Sequence, residues 1–115
     1  MKITIICSVR NATPEYRERL EDYVGRLEQA GNEVYLPHRD NDQKDTGINI
    51  LTRMRERIQW ADRIDIFYNS DSQGTHFDMG GAWAFRKTIK VVENIDYGEG
   101  KSFPRFLDEW EGSQK

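Results

Sequence analysis

The chain has one cysteine, Cys7, among 115 residues, and only three prolines. A lone thiol closes no intramolecular disulfide, and neither it nor the two histidines stand at metal-motif spacing. No apolar run approaches the roughly 18 residues that cross a bilayer. A basic excess is missing too: 17 Lys and Arg face 20 Asp and Glu, for a net charge of −3. Proteins that grip a nucleic-acid backbone usually carry the opposite balance, so no nucleic-acid partner is expected. Met1 to Ile6 leads straight into an apolar segment with no cleavage site behind it, unlike a secretory leader. Internal repeats and low-complexity tracts are absent. The expectation is one cytoplasmic domain over residues 1–115.

What is there is a balanced mixture. Hydrophobic residues make up 37% and charged ones 32%, with aromatics interleaved at 11%. That composition builds a core and excludes disorder.

Two periods alternate along the chain. Lys2 to Ser8 is a β-branched run that predicts a strand buried on both faces. Thr13-Pro14 then reads as an N-cap followed by a proline at the first helical position. Tyr16, Leu20, Tyr23, Val24 and Leu27 give an amphipathic helix, closed by Gly31 as its C′ residue. Glu33 to Leu36 predicts a second strand ended by Pro37, and 38–47 a polar loop. Leu51, Met54, Ile58 and Ala61 mark a second helix, Arg63 to Tyr68 a third strand, and Thr75 to Lys87 a third helix. Ile89 to Val92 predicts a fourth short strand and Phe103 to Trp110 a last helix.

Strands separated by helices imply right-handed βαβ units. The expected fold class is α/β: a three-layer, doubly wound, flavodoxin- or Rossmann-like sheet of four to five mainly parallel strands with helices on both faces. Such sheets bind ligands outside the carboxyl ends of their strands, at the switch point. This rule selects three loops: Cys7 to Asn11, Pro37 to Thr46, and Asn69 to Asp78.

In the first loop, Ser8 and Arg10 with nearby backbone amides suit an anion. They equally suit a turn cap and a solvated guanidinium, and Cys7 reads as a buried strand-end thiol. The second loop offers Asp40, Asp42 and Asp45. The three could bind a metal, although the Gly and terminal Glu of a calcium loop are lacking, or one could contact a base or sugar; all could be solvated, and Asp45 or Thr46 could cap the following helix. In the third loop, Gly80, Gly81, Ala82 and Ala84 cost helix propensity, which makes sense where a helix must approach a sheet or ligand closely. Asp78, placed in the first turn, would be favoured as an anion by the helix N-terminus. It could serve as a nucleophile or simply complement the dipole.

The third loop resembles the signature of the nucleoside 2-deoxyribosyltransferase-like family, with Ser72, Gly74, Asp78, Gly80 and Ala82 in register. Ile5 to Arg10 and Gly31 to Pro37 are similar to that family's first strand with its loop and to its second strand. The likeness extends over about 2–92. It implies N-glycosidic bond cleavage or transfer on nucleosides or nucleoside 5′-monophosphates, without a cofactor or metal. Asp78 would be the nucleophile, and His76 or a second-loop aspartate the proton donor. Cys7, Ser8, Arg10, Asp40, Ser72, Gly74 and Gly80 would line the substrate. Ser72 where transferases carry Asp, together with Ser8 and Arg10, makes the 2′-deoxynucleoside 5′-phosphate N-hydrolase branch the nearer one.

Two departures stand out. The family's nucleophile is normally Glu, and its further acid before the third strand has no match among Arg53, Arg55 and Arg57. A non-catalytic nucleotide-binding or sensor domain is the alternative. Family members of this size commonly assemble, so a homodimer or larger homo-oligomer is expected, with Trp60, Trp83, Phe85, Phe103, Phe106 and Trp110 as candidate contacts.

Overall fold

A computed structural model describes residues 1–10 and 12–114. The N-terminal β-branched run forms β1 (Lys2–Ile6), two residues shorter than expected because Cys7 and Ser8 already turn into the following loop. Beside β1 lie β2 (Glu33–Tyr35) and β3 (Arg63–Phe67), and β4 (Thr88–Glu93) pairs with β3. The order is β2-β1-β3-β4 and every pairing is parallel. The expected doubly wound α/β sheet is present, with four strands.

Helix α1 (Pro14–Gln29) starts where the Thr13 hydroxyl accepts the Tyr16 N–H at 3.2 Å. It ends in a Schellman turn: Gly31, at φ +96°, donates to Glu28 O, and Asn32 donates to Leu27 O. Leu20 and Val24 of α1 pack on Ile3, Ile5, Val34 and Phe67. The opposite face carries α3 (Gly47–Trp60), α4 (Gln73–Ala84) and α5 (Phe103–Ser113). Met54, Ile58, Met79, Ala82, Leu107 and Trp110 bury there against Ile6, Ile64, Ile66 and Ile89. A single turn, α2 (Pro37–Asp40), begins the segment expected to be loop, because Pro37 at N1 presets its φ.

The chain steps from β1 to β2 in one direction and from β2 to β3 in the other. Right-handed crossovers therefore put α1 on one face and α3 and α4 on the other. The reversal falls between β1 and β3, so the loops leaving those strands frame the switch point.

Two polar devices support this frame. Asp65, fully buried in β3, pairs with Arg63 at 2.6 Å and accepts the Tyr23 hydroxyl from α1. The outer edge of β4 is covered by side chains of α5 and its C-cap, with Ile89 N–H donating to Gln114 and Val91 N–H to Glu111. That covering blunts an edge otherwise open to strand pairing.

Helix α4 begins at Gln73 and ends at Ala84, earlier at both ends than the sequence suggests. Ser72 caps its start, accepting the Thr75 N–H at 3.1 Å. It stops because Arg86 takes φ +55° and Lys87 N–H turns back to Ala82 O.

Candidate active site

Ile6 and Ile66 are register partners, so the loops after β1 and β3 leave the sheet side by side, and α4 packs across the end of β1. Cys7 is buried there, as expected of a strand-end thiol, and burial pushes its pKa up to about 12, with the charge of Asp78 adding to the shift. Ser8, also buried, donates its N–H to the Tyr16 hydroxyl at 3.3 Å and its own hydroxyl to Arg10 O at 3.4 Å. Arg10 is exposed at the rim. Asn11, the last residue of this loop, lies outside the described residues.

Asp78 is placed differently from the expectation. Because Ser72 starts the helix early, Asp78 falls in the second turn of α4, and the first turn holds no acidic residue. Dipole complementarity fades beyond the first turn, so that reading does not describe its environment. Burial raises the Asp78 pKa to about 7, well above the ordinary carboxylate range. Among the described residues no hydrogen bond or ion pair holds its oxygens. It is a half-buried carboxylate whose charge reaches Cys7, with its pKa raised to about 7.

His76 turns elsewhere. Residues two apart on a helix point to roughly opposite sides. The His76 ring packs edge-on against Tyr68 and Phe103, with Nδ1 2.7 Å from Ser72 O and Nε2 2.8 Å from the Tyr68 hydroxyl. A carbonyl only accepts, so Nδ1 carries the proton and Nε2 accepts from Tyr68. Both ring nitrogens are thus engaged within the fold, and His76 and Asp78 do not converge.

The glycines of the third loop do not mediate close packing. A Cβ on Gly74 or Gly80 would meet nothing within 4 Å, and one on Gly81 would touch Ile58 at 3.6 Å, an ordinary contact. Only Ala82 is buried against the sheet. Gly74 and Gly80 instead leave the helix surface open.

The second loop contributes a residue that the sequence reading missed. His38, one place after Pro37, has a buried Nε2 without a partner among the described residues. Burial, helped by Arg17, lowers its pKa, while the Ser8 backbone favours the charged form. His38 thus belongs to the Ser8 loop, and its position just past β2, within a switch-point segment, was the available signal. Asp40 sits apart: it accepts the Leu36 N–H at 2.9 Å and pairs with Arg39 at 2.8 Å. Thr46 caps α3, and Asp45 accepts the Thr46 N–H and the Asn49 amide. Asp62, just before β3, accepts the Lys2 N–H at the far end of the sheet, where it cannot supply the missing acid. Among the described residues no cluster of His, Cys, Asp and Glu is arranged to hold a metal ion.

The architecture is the flavodoxin-like fold of the nucleoside deoxyribosyltransferases. Solved structures that share it include three enzymes. A 2-deoxyribosyltransferase from Bacillus psychrosaccharolyticus is 21% identical, with a TM-score of 0.66 over 84% of this chain and 77% of that one. The CMP N-glycosidase BcmB of Clostridium botulinum is 22% identical, with a TM-score of 0.61 over 77% of this chain and 66% of the other. A 2-deoxyribosyltransferase from Leishmania mexicana is 19% identical, with a TM-score of 0.62 over 82% and 65%. This chain therefore spans just under two thirds of the length of the glycosidase and of the Leishmania enzyme. No family model and no curated protein matches the sequence. No helix among the described residues is long and apolar enough to cross a membrane.

Proposed function

We propose that this chain breaks or transfers the N-glycosidic bond of a nucleoside or nucleoside 5′-monophosphate, with Asp78 as the carboxylate nucleophile. One observation carries the reading. A half-buried carboxylate with no partner among the described residues stands at the switch point, inside the Ser72, Gly74, Asp78, Gly80, Ala82 signature.

In this mechanism the ionised Asp78 forms a bond to the anomeric carbon as the bond to the base breaks, through an oxocarbenium-like transition state. The departing base takes up a proton from solvent water, since His76 and Asp40 are both engaged within the fold. Water, or a second base, then breaks the Asp78 ester and frees the carboxylate. Ser8, Arg10 and the capped N-terminus of α4 at Ser72 hold the 5′-phosphate, as in the nucleotide hydrolase branch. Gly74 and Gly80 leave room for the sugar. His38, against the Ser8 backbone, offers its unpartnered nitrogen to substrate. His76 serves by fixing the Ser72 turn through its two hydrogen bonds. No cofactor enters these steps.

A nucleotide-binding domain without turnover is the second reading. Asp78 is shorter than the family's Glu by one C–C bond, about 1.5 Å, and attack at the anomeric carbon is sensitive to such a retreat. A panel of nucleosides and nucleoside monophosphates, with and without acceptor base, separates the two by detection of free base. Binding without release favours the second.

The active form is proposed to be a homodimer or larger homo-oligomer. Phe77, Trp83 and Phe103 are 65%, 55% and 59% exposed, whereas Trp110 is committed to the core. Light scattering at high micromolar concentration should give at least twice the 13.5 kDa chain mass, and a monomer contradicts assembly.

A further inference from the structure

Away from the switch point, a notch of about 540 Å³ opens beside the edge strand β2, lined by Tyr35, Arg53, Arg57 and Trp60 among others. Tyr35 is only 4% exposed, and its buried hydroxyl has no hydrogen-bond partner among the described residues. Leaving a buried hydroxyl unpaired costs stability. The Arg57 guanidinium lies over the Tyr35 ring at 5.0 Å and the Trp60 ring at 4.9 Å. Among the described residues its N–H groups make no hydrogen bond or ion pair. Arg53 gives one nitrogen to Asn41 at 2.7 Å and reaches Asp45 only at 3.7 Å.

Of the two carboxylates that line the notch, Glu33 is exposed and Asp40 is already engaged. Asp40 holds Arg39 and the Leu36 N–H. Burial raises the Tyr35 pKa, Arg53 and Arg57 pull it down and Asp40 adds to the rise, so two guanidiniums and one carboxylate act on the phenol. The phenolic O–H and the guanidinium donors of Arg53 and Arg57 thus line one notch, in which the Asp40 carboxylate is engaged elsewhere and Glu33 is exposed. The complementary group is an anion with several acceptor oxygens, and arginine forks match phosphate geometry well.

We propose that this notch is a second, non-catalytic site for a phosphate-class oxyanion, held by Arg57, Arg53 and the Tyr35 hydroxyl. It is independent of the glycosidic reading, because it lies along the β2 edge and shares no residue with the Asp78 pocket. The occupant is either free phosphate or the phosphate of a nucleotide.

The test is titration of the full chain with inorganic phosphate, followed by calorimetry at constant ionic strength with chloride as the control. Arg10→Gln silences the proposed nucleotide pocket and should leave this binding in place. Arg57→Gln should weaken it by about tenfold or more, the loss of a charged hydrogen bond. Tyr35→Phe changes no charge and should weaken it by about threefold or more, so the test survives if Arg57→Gln fails to fold. In the Arg10→Gln chain, displacement of phosphate by adenosine 5′-monophosphate identifies a nucleotide as occupant and its retention identifies free phosphate, and both uphold the site. Absence of phosphate binding above the chloride control overturns the proposal. So does unchanged affinity in Tyr35→Phe.

Discussion

The charge of Asp78 reaches the thiol of Cys7 and adds to the burial that raises it, and burial likewise disfavours the charged form of Asp78. The thiol is pushed up to about 12 and the carboxyl to about 7. At neutral pH Cys7 is therefore a thiol and no nucleophile, while Asp78 is divided between acid and anion. A carboxylate kept this way is chemically useful and structurally expensive, and both properties can be measured.

The pH dependence follows from the direction of the shift. Nucleophilic attack requires ionised Asp78, so base release should rise with pH through about 7 and level off above it. Stability runs the other way. The folded pKa lies above the ordinary carboxylate value of 3.8, so Asp78's contribution is fully present below about pH 4 and is lost as pH rises through about 7. Asp78→Asn should therefore stabilise the chain at pH 8, by roughly 2–4 kcal/mol, and progressively less toward pH 4. Urea denaturation at the two pH values measures the difference, and an equal effect at both contradicts the burial account.

The phosphate contact gives a second expectation. If Arg10 and Ser8 hold a 5′-phosphate, the monophosphate binds better than its nucleoside. Arg10→Ala should then remove about 1.5–3 kcal/mol from the monophosphate alone. Equal affinities of both ligands in wild type and variant would shift the assignment from the nucleotide hydrolase branch to the nucleoside transferases.

The frame beneath the site depends on a buried charge. Arg63→Met leaves Asp65, which has no exposed surface, with only the Tyr23 hydroxyl. The expected loss is about 3–5 kcal/mol in chemical denaturation, because an unpaired buried charge costs more than the pair contributes. A loss below about 1 kcal/mol would mean that Asp65 takes up a proton or water instead.

Much of this was legible in the sequence because the signals were local. Thr13-Pro14 and Gly31 bound α1 through side-chain and φ constraints that need no tertiary partner, and alternating periods give the parallel sheet and its switch point. The start of α4 was less legible. Ser72 and Thr75 are both plausible caps, Gly74 lowers helix propensity between them, and the choice of Ser72 moves Asp78 out of the first turn. The facing of His76 also depends on that start and on Phe103, nearly thirty residues away in the chain. His38 escaped notice because α2 is a four-residue turn with too little periodicity to read, and its setting is supplied by Ser8 and Arg17 from distant segments. The raised pKa of Asp78 is likewise a product of burial that no local pattern encodes.

The central claim is that Asp78 performs chemistry, and the most direct measurement is release of free base from the nucleoside and nucleotide panel by wild type and Asp78→Asn. The amide has nearly the same shape and cannot form the glycosyl ester. The account predicts release by wild type, none above background by Asp78→Asn, and ligand binding retained by both. Base release by Asp78→Asn at the wild-type rate contradicts it.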